Sequence, residues 1–460
     1  MSTPGDLRFR AERGSVWRFL SAQACSSIGA LALTTVLGKL VYDLTRSELA
    51  LGMLGLVEFL PSLLLVLVTG TLADRVDRRR MASLALVAEA VAAAGLAGYA
   101  ATGPTSATPI FFMVLVFGIS RAFAAPAVRS MPPDLVPHDH LPWLTVRYSG
   151  TWQISAIVGP VLGGFLYVID PWVPFLAVTV LFLGASFGIT TVRYGRHVAE
   201  HHAVLAVAEP LDAMEPAELD GFDTDEAATA GARLHEALEG YRFIRREPVL
   251  LGAITLDLVA VLFGGAIALL PAIAEERLGV GAVGLGWLRA AIGIGAALMT
   301  VGLAIRPVRR HIGVTLLVAV ATFGAATVVL GATTSFAVAF VALAIGAAAD
   351  AISVFIRATL VPLLTPDEMR GRVLAMEMVL IGGSNELGAF ESGVTGQIFG
   401  PAVAVVLGGA ASVVTAVGWW FGFPDLRRTD RFPRTGASAP DAAPGAAPAA
   451  PAVEQGPEAG

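Results

Sequence analysis

The sequence predicts an all-α membrane protein whose twelve transmembrane helices form two pseudo-symmetric six-helix bundles. Three observations carry this: an apolar composition, apolar runs of spanning length, and an internal repeat. Of the 460 residues, 55% are hydrophobic and 15% charged, and mean hydropathy is +0.71. A soluble protein carries about a quarter charged residues. Runs of 18 or more apolar residues recur along the chain, each able to cross a hydrocarbon core of about 30 Å as a helix. In lipid the backbone must satisfy its own hydrogen bonds, which leaves helices or closed barrels. The ten-residue apolar/polar alternation of a barrel strand is absent.

Hydropathy and helix breakers place spans at 17–41, 49–73, 81–101, 110–128, 145–169 and 172–192, then 249–273, 284–305, 314–333, 336–360, 373–397 and 402–422. Residues 1–192 therefore form the first bundle and 247–424 the second. Between them, 193–246 is an acidic, Ala-rich linker whose last part, 233–246, has the pattern of an amphipathic helix. The segment 425–460 is a tail whose Ala/Pro-rich end (from about 436) cannot build a core. The N-terminal stretch lacks the small-residue cleavage site of a signal peptide. Cys25 is the sole cysteine, so an intrachain disulfide is excluded.

Charge placement gives orientation. With the N-terminus inside, the inner segments hold clusters such as Arg75, Arg78, Arg79 and Arg80, whereas the outer loops hold Arg46 and Arg277. The positive-inside rule then puts both termini and the linker in the cytoplasm. The halves repeat under a shift of 228 residues, which lays Arg78 on Arg306, Gly118 on Gly346, Arg129 on Arg357, Leu135 on Leu363 and Asp139 on Asp367. Duplicated halves of this kind hold their substrate between them near the midplane.

After the second span the chain reads Gly70-Thr-Leu-Ala-Asp74-Arg75-Val-Asp77-Arg78-Arg79-Arg80. This resembles the loop between helices 2 and 3 of the major facilitator superfamily, G-x-L-a-D-r-x-G-r-r. Gly70, Leu72, Asp74, Arg75, Arg78 and Arg79 match, while Asp77 replaces the usual Gly. The resemblance implies a gating latch in which Asp74 caps a helix of the opposite half and pairs with an Arg. A carboxylate at a helix N-terminus meets the positive end of the macrodipole. In the fifth span, Gly159-Pro160-Val-Leu-Gly163-Gly164 looks like the later part of the family's antiporter motif, with Ser155 at one of its earlier glycine positions. Close helix packing is the alternative reading of these small residues. Arg121 stands where the family often has an arginine in the fourth span. LADRVDRRR, PDLVP and TPDEMRGRV resemble the subgroup that contains bacterial enterobactin and macrolide exporters, and the likeness covers about residues 17–425.

Ionisable groups near the bilayer centre are expensive and are functional candidates. Glu58, Glu89, Arg121, Asp257, Asp350 and Glu386 lie near the estimated midpoints, and Arg289 lies nearer the outer side. Glu386 sits in a polar, glycine-rich stretch with Asn385, whose composition suits a locally bent helix. Coupling or cargo contact is expected from Arg121, Asp257, Asp350, Asn385 and Glu386. Glu58 and Glu89 read more readily as polar contacts between helices, and Glu377 and Glu391 lie near the ends of their span and are set aside. Gly279–Gly284 fits G-x-G-x-x-G but follows no strand, and no GxxxxGK[ST] motif exists.

The expectation is therefore a proton-coupled exporter of a small amphipathic compound, drug-like or siderophore-like. It is a monomer in a bacterial inner membrane, with no enzymatic activity, catalytic residue, cofactor, metal or nucleic-acid partner. An uptake carrier or lipid flippase of the same fold stays open, as does a non-transporting sensor or scaffold. The latch and the midplane charges argue against the last.

Overall fold

The computed structural model describes residues 4–192 and 239–433, with side chains described from residue 13 onward apart from 66–75 and 138. Residues 193–238 of the linker, with the first part of the helix expected over 233–246, and the tail from residue 434 lie outside the described residues. The first half contains α1 (Pro4–Thr45), α2 (Glu48–Arg75), α3 (Arg78–Ala101), α4 (Thr108–Arg129), α5 (Leu141–Ile169) and α6 (Val173–Thr190). The second contains α7 (Pro248–Phe263), α8 (Gly281–Ile305), α9 (Ile312–Ala332), α10 (Phe336–Leu364), α11 (Asp367–Phe399) and α12 (Pro401–Gly422). Eleven of these are long and apolar enough to cross a membrane, and α7 is a shorter apolar helix.

Most boundaries fall within a few residues of the hydropathy reading. Proline in the first turn starts several helices, including α4, α5, α6, α7 and α12, where its missing N–H costs nothing. Helix α1 begins well before residue 17 because its polar N-terminal segment is helical too; the span-like part is Arg13–Thr45. At Gly400 the backbone turns left-handed with φ 83°. This conformation favours glycine and lets α12 follow α11 after a single residue.

The seventh span corrects the sequence reading. In place of one helix over 249–273, α7 stops at Phe263, and the chain resumes as a short helix, Leu270–Ala272, then a π-helical turn, Ile273–Arg277. Gly264 and Gly265 mark the break. A Cβ on Gly265 would lie 2.6 Å from the carbonyl carbon of Gly388 and 2.7 Å from Ser392 Oγ. Here the backbones of the broken span and α11 touch, a contact that only glycine permits. The polar middle of α11 remains one helix, with Asn385 Nδ2 donating to its own Ile381 carbonyl at 3.1 Å.

The two halves pack by one plan. In the first, α1 packs on α5 and α6, α3 on α4 and α6, and α2 on α4; in the second, α7 packs on α11 and α12, α9 on α10 and α12, and α8 on α10. Adding six to each helix number converts one set into the other. The principal joins between halves, α2 with α11 and α5 with α8, are exchanged by the same operation. A buried core of Phe19, Phe117, Phe175 and Phe182 fills the first half. The outer faces carry exposed apolar side chains such as Leu84, Phe112, Phe187, Ile305 and Phe421. So much exposed apolar surface suits lipid rather than water.

Candidate functional site

The site is built from charges that converge where the halves meet. Gly118 of α4 backs onto the Glu58 backbone of α2, and a Cβ on Gly55 would come within 2.6 Å of Glu386 Oε2 on α11. About one turn away, a Cβ on Gly382 would be 3.3 Å from Phe59. These close approaches bring Glu58 and Arg121 of the first half together with Glu386 of the second where α2, α4 and α11 meet. The charges of Arg121 and of Arg289, on α8, both act on Glu58, and Glu58 in turn acts on Glu386. Buried Glu89 of α3 feels Arg121 and Glu58.

Among the described residues none of these five groups forms an ion pair or a side-chain hydrogen bond. Arg121 contacts the Phe117 ring face at 5.8 Å. Glu89 Oε2 and Arg289 Nε are buried with no hydrogen-bond partner. Opposed charges that face one another without touching leave donors and acceptors available to a ligand. Sequence reading set Arg289 off centre, yet its long side chain brings its charge to bear on Glu58.

The second half holds a contrasting cluster whose charges are paired, with Arg357 Nε alone left without a hydrogen-bond partner. Arg357 of α10 is 4% exposed; its Nη2 lies 2.9 Å from Asp257 Oδ1 of α7, and its Nη1 lies 3.5 Å from Glu377 Oε1 of α11. Ser353 Oγ donates to Asp257 at 3.4 Å. One arginine thus ties three helices. Asp350 stands apart from this tie and lines a cavity of about 110 Å³ that is otherwise largely apolar. Glu377, set aside on sequence grounds as too near a helix end, is a member of the cluster. Glu391 accepts from its own helix neighbour Thr395 at 2.6 Å.

Toward the loops α1–α2, α7–α8 and α11–α12, here termed the far end, the halves close on one another. Gly52 and Gly393 abut, so that a Cβ on Gly393 would meet the Gly52 Cα at 2.8 Å. The fifth-span motif works in both directions. Gly159 and Gly163 lie against Ile28 and Ala32 of α1, while Gly164 faces Ala282 and Pro160 faces Gly286 on α8. Polar ties complete the closure. Lys39, the sole lysine of the chain, pairs with Asp43 and, at 3.1 Å, with Glu275 beyond α7. The Tyr42 hydroxyl donates to Glu276, Tyr167 donates to Asp43 at 2.9 Å, and Ser47 donates to Gln397 at 2.7 Å. Nothing in the hydropathy pattern pointed to this network, although a lone Lys four residues before an Asp on one helix was a signal.

At the opposite, linker end, Asp77 caps α3: its Oδ1 accepts from the Arg79 backbone N at 2.9 Å, and its carboxylate pairs with the Arg79 guanidinium at 3.0 Å. Hydrogen bonding from Arg79 holds the Asp77 carboxyl below its ordinary value. Arg78 pairs with Asp134 at 3.0 Å, and Arg79 donates to the Val192 carbonyl at 3.1 Å. These ties join the α2–α3 loop to the ends of α4 and α6, within the first half. The side chains of Asp74 and Arg75, and the surroundings of Gly70, lie outside the described residues. Residues 239–246 are helical, and Glu239 pairs with Arg372 of α11. Among the described residues no group of three or more His, Cys, Asp or Glu could hold a metal.

Comparison with known proteins fits this geometry. A family model described as Major Facilitator Superfamily matches residues 19–314, and one described as transmembrane secretion effector matches residues 223–444. Enterobactin exporter EntS of Escherichia coli O1:K1 / APEC is 24% identical over 372 residues, covering 80% of this chain and 82% of that protein. Macrolide efflux protein A of Streptococcus pyogenes is 28% identical over 182 residues, 40% of this chain and 44% of that protein. The chain therefore spans less than half the length of that relative. Among solved structures, a POT family transporter in complex with 5-aminolevulinic acid superposes with a TM-score of 0.66 at 11% identity, covering 90% of this chain and 96% of that one. A bacterial homologue of the lysosomal transporter Spinster, inward-facing and unoccupied, gives 0.60 at 14% identity, covering 93% and 97%. Likeness at this identity speaks to the fold alone.

Proposed function

Since the chain belongs to the major facilitator superfamily, and so is a secondary active transporter of small molecules, we propose that it exports an amphipathic organic compound in exchange for protons. The cargo class is drug-like or siderophore-like, and both termini face the cytoplasm. The observation that carries this reading is the unpaired charge cluster Glu58, Arg121, Arg289 and Glu386, drawn from both halves. A site shared between halves is remade each time they rock, so cargo and proton occupancy can be tied to conformation. The relatives named as an enterobactin exporter and a macrolide efflux protein support the direction of flux and the cargo class.

Closure at the far end is then an inward-facing state, with the far-end network as the outer gate. Asp74, Arg75, Arg78 and Arg79 form the latch of the inner gate. The experiment is Glu386→Gln in inverted membrane vesicles. Uphill accumulation of a probe cation or a catecholate siderophore, sensitive to a protonophore, is expected for the unsubstituted chain and lost in the variant at equal protein levels. Accumulation unchanged by Glu386→Gln would remove that residue from coupling, and flux of the opposite sign would make the protein an uptake carrier.

A further inference from the structure

Glu89 sits at the middle of α3, 1% exposed. Its Oε2 has no hydrogen-bond partner, and its carboxylate enters no ion pair among the described residues. Three helices pack against α3: α4, α6 and, more lightly, α2. The charged group of α4 that acts on it is Arg121 and that of α2 is Glu58, while α6 carries no ionisable residue. Two carboxylates therefore share Arg121, and Glu58 has Arg289 as well. Burying an ionised carboxylate without a partner costs far more than neutralising it. Of the pair, Glu58 has two arginines and partial exposure to keep it charged, whereas Glu89 has neither a second cation nor solvent.

We propose that Glu89 is a proton-binding site of this transporter, holding its proton as a neutral acid and exchanging it as Arg121 moves between Glu89 and Glu58. The inference rests on the proton-coupled reading above and names a residue for it. Arg289 belongs to the other half, so rocking changes how many cations Glu58 has. In the state described here Arg289 acts on Glu58 and Glu89 is unpaired, so Glu89 keeps its proton. It gives that proton up to water only on the rocking step that turns Arg121 toward it and opens the site to solvent, leaving a carboxylate paired with Arg121. When the halves rock back, Arg121 returns to Glu58 and Glu89 takes a proton back. Balance requires only one proton and one moving guanidinium.

The test is infrared spectroscopy of the full chain in lipid, reading the C=O band of protonated carboxyl groups. At neutral pH, Glu89→Gln should remove one such band while leaving the melting temperature unchanged, because Gln is isosteric with the neutral acid. An identical spectrum, or a clear loss of thermal stability with no band removed, overturns the proposal. Arg121→Gln supplies a second readout that does not alter Glu89: the band should persist to more alkaline pH than in the unsubstituted chain, and an unshifted titration counts against it. Proton-driven efflux of ethidium by the unsubstituted chain is measured in parallel. Its absence together with absent efflux of a catecholate siderophore would sink the export reading, while the infrared band would still decide the state of Glu89.

Discussion

Replacing Tyr42 by Phe isolates one strut of the far-end closure. The ring is fully buried, so Phe fills the same space and only the hydroxyl bond to Glu276 is lost. Its acceptor is exposed, so Glu276 regains water and is not stranded. The loss therefore falls just below the range of roughly 1.5–3 kcal/mol for a bond to a charged group, at about 1–1.5 kcal/mol. That shifts the balance between far-end-closed and far-end-open states by roughly five- to twelvefold. An open population of about 1% would become about 5–10%. The assay is spin-label distance measurement between Asp170→Cys and Thr334→Cys, both at exposed far-end positions, in a Cys25→Ser background. Tyr42→Phe should add a long-distance component, and Lys39→Met, which also removes the pair with Glu275, should add a larger one. Distributions that match the unsubstituted protein in both variants would refute the view that this network holds the gate.

The remaining predictions probe other parts of the architecture. Arg357→Met strands Asp257 and Glu377, at 4% and 7% exposure, and should cost about 3–5 kcal/mol, read as a lower melting temperature. Adding Asp257→Leu should recover part of that loss, and additive losses would contradict the tie. Gly164→Val drives a Cβ to 2.5 Å from the Ala282 carbonyl, overpacking the closed state by about 1–3 kcal/mol and opening the far end in the same distance assay. Gly184→Val, where a Cβ meets nothing within 4 Å, should leave the distances alone.

The Asp77 cap should show a pH signature in amide exchange at Arg79 and Arg80. Because its carboxyl is held below the ordinary value, its contribution is present above the unfolded value of about 3.9 and fades as pH falls through the folded one. Asp77→Ala should weaken the cap by about 0.5–2 kcal/mol, and that difference should vanish in strong acid. A difference that persists there would mean the carboxylate is not the capping group.

Much of the fold was legible because a membrane makes hydropathy nearly sufficient: once the backbone must satisfy itself, each apolar run can only be a helix. The break after α7 escaped because Ala266 to Ala274 is as apolar as a helix interior, so a hydropathy window passes over Gly264 and Gly265. The glycine pair and Pro271 were the available signals. Depth along a helix can be counted from sequence, which places Glu58, Arg121 and Glu386 near the midpoints of their spans, but partners cannot. Whether Asp257 is paired and Asp350 is not depends on which helices converge on Arg357. The same limit hid the Lys39 network, whose members are more than 230 residues apart in the case of Tyr42 and Glu276.

Simultaneous measurement of cargo and proton flux in proteoliposomes, with a pH dye trapped inside, tests most directly that the charges between the halves couple cargo to protons. Cargo leaving the cytoplasmic side should be matched by proton movement the other way, and Glu386→Gln should abolish the matched flux. Cargo movement at full rate with no accompanying proton flux would contradict coupling and leave a carrier of the same fold driven by something else.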